Sequence, residues 1–353
     1  VLEQLRAGTG RILRPQDGAA GVYPLGDAFC DLEHARFHAG QCARAACRAG
    51  QSSRLCGTDR CGACLERRKL LEDFSQALER DEFQGYLQFF VDADTFQIVG
   101  GEALSRWYHP RFGFLSPGRY IPLLEEAGRI EQLDLYGLEK ACAFLEELGR
   151  NQIRDFFLSC NIARRTFCDP GFARRCAETV RRYTFPRKLL ILEVTESQQM
   201  EPAEAERMRR NIQEIRESGM RVIFDDFGEG FSSFHDLQTY PMDGLKLDKK
   251  LVDNMGTENG RIILRALVDV GHRMGLTILA EGVEDEEQIR MLRTMHCDAF
   301  QGFRFSVPLP EEEARRRILR GERSLKDRRQ SGREEERHEP GVSGPRTDTQ
   351  SPA

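Results

Sequence analysis

Eight polar side chains that could bind a cation or move a proton lie near the ends of separate β-rich runs in this sequence. They are Glu102, Asn161, Glu193, Asp225, Asp226, Lys246, Glu281 and Gln301. In a barrel of parallel strands, the carboxyl ends of the strands form the catalytic face. We therefore expect these side chains, which come from seven strands, to meet at one mouth.

The charges of this set predict a bound metal. Five carboxylates accompany a single lysine, which leaves four negative charges without a partner in the sequence pattern. Crowded carboxylates repel one another and take raised pKa values unless cations join them. Oxygen ligands with one amide, and neither His nor Cys, favour Mg²⁺ or Mn²⁺ over Zn²⁺. The adjacent Asp225 and Asp226 would allow one carboxylate to bridge two ions, as in two-metal phosphoryl displacement.

Each of these residues alone has an ordinary structural interpretation. Asp225 and Asp226 could cap the following helix, Lys246 could form a surface ion pair, and Asn161 could occupy a turn. A different barrel enzyme, an aldolase forming a Schiff base on Lys246, is a further alternative. Flanking carboxylates raise a lysine pKa rather than lower it, so they argue against that alternative. Charge gathered at one mouth favours the metal site.

The elements that must position these residues are short strands alternating with helices. The predicted strands are 86–91, 97–104, 156–162, 189–195, 221–226, 244–248, 276–282 and 298–302. Amphipathic patterns at 202–218 and 260–274 separate several of them. Strand–helix alternation indicates a largely parallel sheet covered by helices, and eight strands over this length predict an α/β fold, a TIM-like (β/α)8 barrel.

Composition excludes some classes of protein. The 353 residues carry a net charge of −5, with 40% hydrophobic and 31% charged residues, so we expect a globular protein with no DNA or RNA partner. We find no apolar run of the roughly 20 residues that a membrane span needs, and no secretory signal. We expect a cytoplasmic protein with reduced thiols. An upstream membrane or sensor region is left open, because the sequence begins at Val1.

The regions flanking the predicted barrel differ from it in composition. Residues 1–65 form a Cys-rich segment that we expect to be mostly helical, and 66–82 form a linker helix within the apolar periodicity of 65–83. Its CGTDRCGAC stretch (56–64) has one CxxC pair, which suits free thiols or a metal site. Residues 321–353 are charged or small and polar, and we expect a disordered tail.

Seven stretches between about 83 and 312 resemble, in order, the motifs of EAL domains. They are GGEALSRW (100–107), SCNIA (159–163), LEVTES (192–197), DDFGEGFSS (225–233), LKLDKKLV (245–252), AEGVEDEEQ (280–288) and CDAFQGFRFSVPLP (297–310). A single EAL tripeptide occurs by chance, whereas seven motifs in register are specific. The resemblance implies an EAL phosphodiesterase domain over 83–320. Residues 26–52 faintly resemble the last helix of a GGDEF domain, whose active-site signature is absent from this sequence.

The resemblance also implies roles for individual residues. Glu102, Asn161, Glu193 and Asp225 resemble the ligands of one metal ion, and Asp226 helps to hold a second, with Glu281 as ligand or base. Lys246 resembles the residue that orients the attacking water. Gln88 and Arg106 match substrate-contacting positions, and Gln301 a position near the metal-bound water. Glu196 corresponds to a glutamate that braces the loop after Asp226.

The implied activity is hydrolysis of one phosphodiester bond of cyclic di-GMP to give linear pGpG, with two Mg²⁺ or Mn²⁺ ions. A homodimer formed through the EAL domain is expected. Glu229 stands where family members usually carry Thr or Ala, in a loop that couples metal binding to dimerisation. A catalytically weak or inactive EAL-type receptor for cyclic di-GMP is the alternative.

Overall fold

The computed structural model of the chain describes residues 10–12, 20–24, 53–55, 58–195, 201–228 and 234–322. The chain divides into two compact units, Val1–Ser75 and Gln76–Ala353. No helix in these ranges is both long enough and apolar enough to cross a membrane.

The first unit contains a small sheet where a mostly helical segment was expected. Its strands are β1 (Gly10–Ile12), β2 (Ala20–Pro24) and β3 (Ser53–Leu55), in the order β1-β2-β3. Residues such as Val22 and Tyr23 favour extended backbone, and the expectation of a mostly helical segment did not take them into account. Before Thr58 the described parts are therefore strand, and helix begins there with α1 (Thr58–Glu79).

The second unit is a closed barrel of eight strands, as predicted. The barrel strands are β4 (Phe83–Asp92), β5 (Ile98–His109), β7 (Phe157–Asn161), β8 (Leu190–Thr195), β9 (Arg221–Phe227), β10 (Gly244–Leu247), β11 (Thr277–Ala280) and β12 (Ala299–Gln301). Each coincides with one of the eight predicted runs. Two short strands, β6 (Gly113–Leu115) and β13 (Leu309–Pro310), add to the outside of this ring.

Among the eight barrel strands, all but β4 run parallel to one another. Its order is β13-β4-β12-β11-β10-β9-β8-β7-β5-β6, and a further pairing of β4 with β5 closes the ring. Strand β4 is antiparallel to both β12 and β5. A tight turn joins β4 to β5, in which the Asp92 carboxylate accepts hydrogen bonds from the backbone and side chain of Thr95. The first strand therefore enters the barrel from the mouth, and its early residues lie at the rim.

Helices cover the outside of the barrel. They are α2 (Pro117–Glu126), α3 (Ile130–Arg150), α4 (Arg164–Phe167), α5 (Phe172–Val180), α6 (Pro202–Glu217), α7 (Phe234–Thr239), α8 (Lys249–Asp253), α9 (Glu258–Arg273), α10 (Glu286–Thr294) and α11 (Glu311–Leu319). Short 3₁₀ turns occupy Arg187–Leu189 and Asn254–Gly256. One continuous apolar core lies between helices and strands and includes Leu158, Leu192, Phe224 and Phe300.

The barrel interior has a polar top and an apolar floor. Phe90, Leu279 and Ala299 form a separate buried cluster there, with Val99 and Phe157 packed against it. Leu279 and Ala299 lie two residues before Glu281 and Gln301, and so face the same side of their strands. An apolar floor excludes water from beneath the polar residues above it.

The remaining predictions about the chain's flanks have mixed outcomes. Helix α1 ends at Glu79, earlier than the expected 82, because Asp81 adopts a left-handed φ of 53° and β4 begins at Phe83. The disordered tail is predicted for residues that lie outside the described ranges from 323 onward. Cys142, Cys160, Cys168, Cys176 and Cys297 are free thiols.

Candidate functional site

Lys246 lies at the centre of the barrel mouth, surrounded by carboxylates. Its side chain is only 1% exposed, and Nζ lies 3.3 Å from Glu102, 3.0 Å from Glu193 and 2.9 Å from Asp225. A fourth ion pair joins it to Glu281. Strands β5, β8 and β9 each supply one of these acids and Glu281 directly follows β11, so the four come from around the ring rather than from one loop.

Two amide side chains donate hydrogen bonds to the Glu102 carboxylate. Asn161 donates from Nδ2 to Glu102 Oε1 at 2.6 Å, and Gln301 donates from Nε2 to Glu102 Oε2 at 2.8 Å. Strand register explains the meeting, because Glu102 lies opposite Ser159 on β7, two residues before Asn161. Glu102 was expected near a strand end, but it lies mid-strand, because β5 continues to His109 and pairs there with β6.

A β-bulge in β9 brings two adjacent aspartates to the same side of the sheet. Phe224 pairs with Leu245 and Phe227 with Leu247, so Asp225 and Asp226 together lie opposite Lys246. Neighbouring residues of a regular strand point to opposite faces. Asp226 instead has a left-handed φ of 53°, a conformation that costs a non-glycine residue free energy and that is concentrated at functional sites.

Burial and mutual repulsion set the protonation of the acids. Burial raises the pKa of Glu193 well above its usual range; Lys246 opposes the rise, while Glu102 and Asp225 add to it. Burial also raises the pKa of Glu281 to about 8, against the pull of Lys246. Burial also acts to raise the pKa of Glu102. The charge of Lys246 and the hydrogen bonds from Gln301 and Asn161 outweigh burial, so the pKa of Glu102 is lowered. Protons and Lys246 together balance the charge of the cluster.

The lysine itself is a permanent cation in this surrounding. Burial lowers the pKa of Lys246, but Asp225, Glu102, Glu193 and Glu281 more than offset that effect and hold it well above its usual range. A Schiff-base lysine needs a neutral amine near physiological pH. The arrangement therefore disfavours the aldolase alternative.

The oxygen donors of the mouth suit a hard divalent cation. Carboxylate oxygens of Asp225, Asp226 and Glu281 lie within 4.8 Å of one another. Oε1 of Glu193 and Oε1 of Gln301 are buried without a hydrogen-bond partner in the described part of the chain. A buried oxygen without a partner is costly unless a cation or a water molecule satisfies it. Because all these donors are oxygens, they fit Mg²⁺ or Mn²⁺.

Of the residues expected to contact substrate, Gln88 lies beside Glu102 and Arg106 lies further along β5. Gln88 pairs with Glu102 across β4 and β5, and its Nε2 donates to Ser306 O at 3.0 Å. Arg106 follows Glu102 by four residues on β5, about 13 Å further along the strand. It is not part of the acidic ring. Glu196 and Glu229 lie outside the described residues.

Sequence reasoning missed Asp134 of α3. Its Oδ2 accepts hydrogen bonds from Ala163 N at 3.0 Å and from Thr166 Oγ1 at 2.5 Å, and so anchors the loop after Asn161. Burial raises its pKa to about 7. A signal existed, because Asp134 is an acid on the apolar face that α3 forms with Leu133, Leu138 and Ala141.

Comparisons with known proteins identify the family to which these features correspond. The EAL domain family matches residues 71–308. The oxygen sensor protein DosP of Escherichia coli is 36% identical over 249 residues, which are 70% of this chain and 31% of DosP. MucR of Pseudomonas aeruginosa, a bifunctional diguanylate cyclase and cyclic di-GMP phosphodiesterase, is 33% identical over 70% of this chain and 36% of its own length. The chain thus spans about a third of these curated relatives.

Solved structures give the same likeness in three dimensions. The structure of the PaMucR phosphodiesterase in complex with c-di-GMP matches with a TM-score of 0.64 and 33% identity, over 70% of this chain and 99% of that one. The EAL enzyme Bd1971, bound to cAMP and cyclic-di-GMP, matches with a TM-score of 0.65 and 26% identity, over 81% of this chain and 73% of that one.

Proposed function

The chain belongs to the EAL domain family, and from that membership and the acidic mouth we propose that it hydrolyses cyclic di-GMP to linear pGpG with the help of divalent cations. The observation that carries the proposal is the convergence of Glu102, Glu193, Asp225 and Glu281 on one buried lysine. Such a concentration of acids costs stability in a domain that uses it only for packing. Its cost is explained if the acids hold cations.

The cations are proposed to be two Mg²⁺ or Mn²⁺ ions, held by six residues. These are Glu102, Asn161, Glu193, Asp225, Asp226 and Glu281. When bound, such ions supply a water of lowered pKa and neutralise charge on the phosphodiester. The carboxylate oxygens of Asp225, Asp226 and Glu281, which lie within 4.8 Å of one another, support this assignment.

The chain's own residues would orient the reactants and carry protons. Lys246, fixed by its ion pairs, would hold the attacking water and stabilise the negative charge that develops on the phosphoryl oxygens. Glu281, which lies beside Lys246 and the two aspartates, would act as a cation ligand or as the base that accepts a proton from that water. Gln88, Arg106 and Gln301 would contact substrate, since a guanidinium fork suits a phosphate. Glu196 is proposed to brace the loop after Asp226.

The test is to incubate the purified chain with cyclic di-GMP and Mg²⁺ or Mn²⁺ and to follow pGpG by chromatography. We expect turnover that EDTA abolishes, and its loss in Glu102→Ala with the fold retained. Glu214→Ala, an exposed acid of α6, is the matched control. Binding of cyclic di-GMP without product would favour the receptor alternative, and neither binding nor product would refute both.

We also propose that the active form is a homodimer that buries the exposed face of α9. Two adjacent isoleucines there, Ile262 and Ile263, are 60% and 53% exposed, and together they form an apolar patch that a second copy could cover. The proposed occupant is a second copy of this chain. Light scattering should show that Ile263→Lys shifts a dimer towards monomer, whereas Leu319→Lys, an exposed control on α11, should not. A wild-type monomer at high concentration would contradict the proposal.

A further inference from the structure

Strands β4 and β5 continue past the acidic ring and form one wall of the mouth. Across this pair, Tyr86 lies opposite Leu104, two residues along from the Gln88–Glu102 pair. Directly paired residues share a face of the sheet, and so do alternate residues of one strand. Tyr86, Arg106 and Tyr108 therefore lie on the same face as Glu102, progressively further out from it.

A series of contacts on this wall ends at the Arg106 guanidinium. The Cζ atom of Arg106 lies 5.5 Å from the centre of the Tyr86 ring, and its Nη1 donates to Ser105 O at 2.8 Å. The Tyr86 and Tyr108 hydroxyls form a hydrogen bond of 2.7 Å. The Tyr108 ring in turn meets Phe114 of β6 edge-on, with centroids 5.5 Å apart.

We propose that Tyr86 is a positioning residue that holds Arg106 ready for a phosphate of the cyclic dinucleotide, with Tyr108 and Phe114 bracing the Tyr86 ring. The inference rests on the proposed function, because it gives Arg106 a phosphate to bind. An arginine side chain loses much rotamer freedom when it binds a ligand. A ring face and a carbonyl that already restrict it reduce that loss, and they leave its other N–H groups to face the mouth.

The arrangement of β4, β5 and β6 explains how Tyr86, Tyr108 and Phe114 come to lie near Arg106. Arg106 lies beyond the part of β5 that pairs with β7, and its partner across the β4–β5 pair is Gln84. Tyr86 reaches it only because β4 is antiparallel, which places the early residues of β4 beside the late residues of β5. Strand β6 supplies Phe114 directly opposite Tyr108.

The kinetic test is a double-mutant cycle on cyclic di-GMP hydrolysis by the full chain. Tyr86→Leu should raise KM about tenfold with little change in kcat, as expected for loss of a cation–π contact. In an Arg106→Ala background the same change should have almost no further effect. Tyr183→Leu, a half-buried tyrosine of another surface, is the control. An equal rise of KM in both backgrounds would overturn the proposal.

A second test needs no substrate and separates this inference from the proposed function. In ¹⁵N-labelled protein the Arg106 Nε–H resonance, assigned through Arg106→Lys, should carry a ring-current shift that Tyr86→Leu removes. Tyr86→Phe and Tyr108→Phe should each change that shift partly, and the double variant no more than either. An unmoved resonance in Tyr86→Leu overturns the positioning role even if hydrolysis is observed. A moved resonance without hydrolysis supports the role and refutes only the proposed function.

Discussion

Replacing Lys246 with methionine tests whether the acidic mouth depends on a single internal cation. Methionine keeps most of the apolar stem but removes the ammonium that four carboxylates share. The acids themselves stay in place, still buried. The variant therefore removes charge balance with little loss of packing.

The magnitude follows from the ion-pair geometry. A unit charge pair at about 3 Å interacts by about 5 kcal/mol at an effective dielectric constant of ~20. Desolvation of the ions offsets much of this energy, and removal of one partner of a buried pair typically costs about 3–5 kcal/mol. Proton uptake by Glu193 and Glu281, whose pKa values are already raised, relieves part of the repulsion. A loss of about 4 kcal/mol would lower Tm by about 8–16 °C in a domain of this size.

The assay is thermal unfolding at neutral pH, first in EDTA and then with millimolar Mg²⁺. We expect the full decrease in Tm in EDTA. With Mg²⁺ the decrease should be smaller, because bound cations supply the missing positive charge. Lys188→Met removes an exposed lysine and should leave Tm unchanged. If Lys246→Met unfolds in EDTA at the wild-type temperature, the acids do not depend on the lysine, and the charge argument is wrong.

Three further changes have defined outcomes. Asp134 has a pKa of about 7 in the fold, above about 3.9 in the unfolded chain, so its stabilising contribution is complete below about pH 3.9 and is lost as pH rises to about 7. Asp134→Asn should therefore flatten the fall of Tm between about pH 4 and 7, and an unchanged slope would contradict the assignment. Asp226→Gly should relieve the left-handed backbone and keep or raise Tm, while calorimetry shows weaker Mn²⁺ binding; tight binding would count against Asp226 as a ligand. Gly282→Ala should lower both Tm and hydrolysis, because Gly282 has a φ of 64° and a Cβ there would lie 2.6 Å from Lys249 Cβ, and normal values would show that the loop adapts.

The barrel could be predicted from the sequence, because its strands are recognisable there as short apolar runs. In β8, for example, Leu190, Leu192 and Val194 face the helices while Glu193 faces the mouth. When the alternate apolar side chains of such a run pack against the helices, a polar side chain between them must face the barrel interior. That constraint is why the sequence alone predicts that Glu193, Lys246 and Gln301 lie together.

Other features depended on geometry that no local pattern encodes. Two adjacent aspartates in a strand should point apart, and only the bulge at Asp225 and Asp226 brings them together. Glu102 lies mid-strand because β5 continues beyond the predicted run 97–104 and forms a hairpin with the short strand β6. The reach of Tyr86 to Arg106 likewise depends on the direction of β4, which alternation of strands and helices does not reveal.

The bulge in β9 also has a consequence for the evolution of such a domain. One extra residue, opposite Lys246, separates a strand with two inward-facing acids from a strand with ordinary alternation. The deletion of a single codon at Asp226 would restore that alternation and leave the pairing of Phe224 and Phe227 with β10 available. A descendant could then keep the barrel and its mouth while losing a carboxylate that we propose to hold a cation. If that proposal holds, a single in-frame deletion would be enough to convert a hydrolase of this architecture into a receptor.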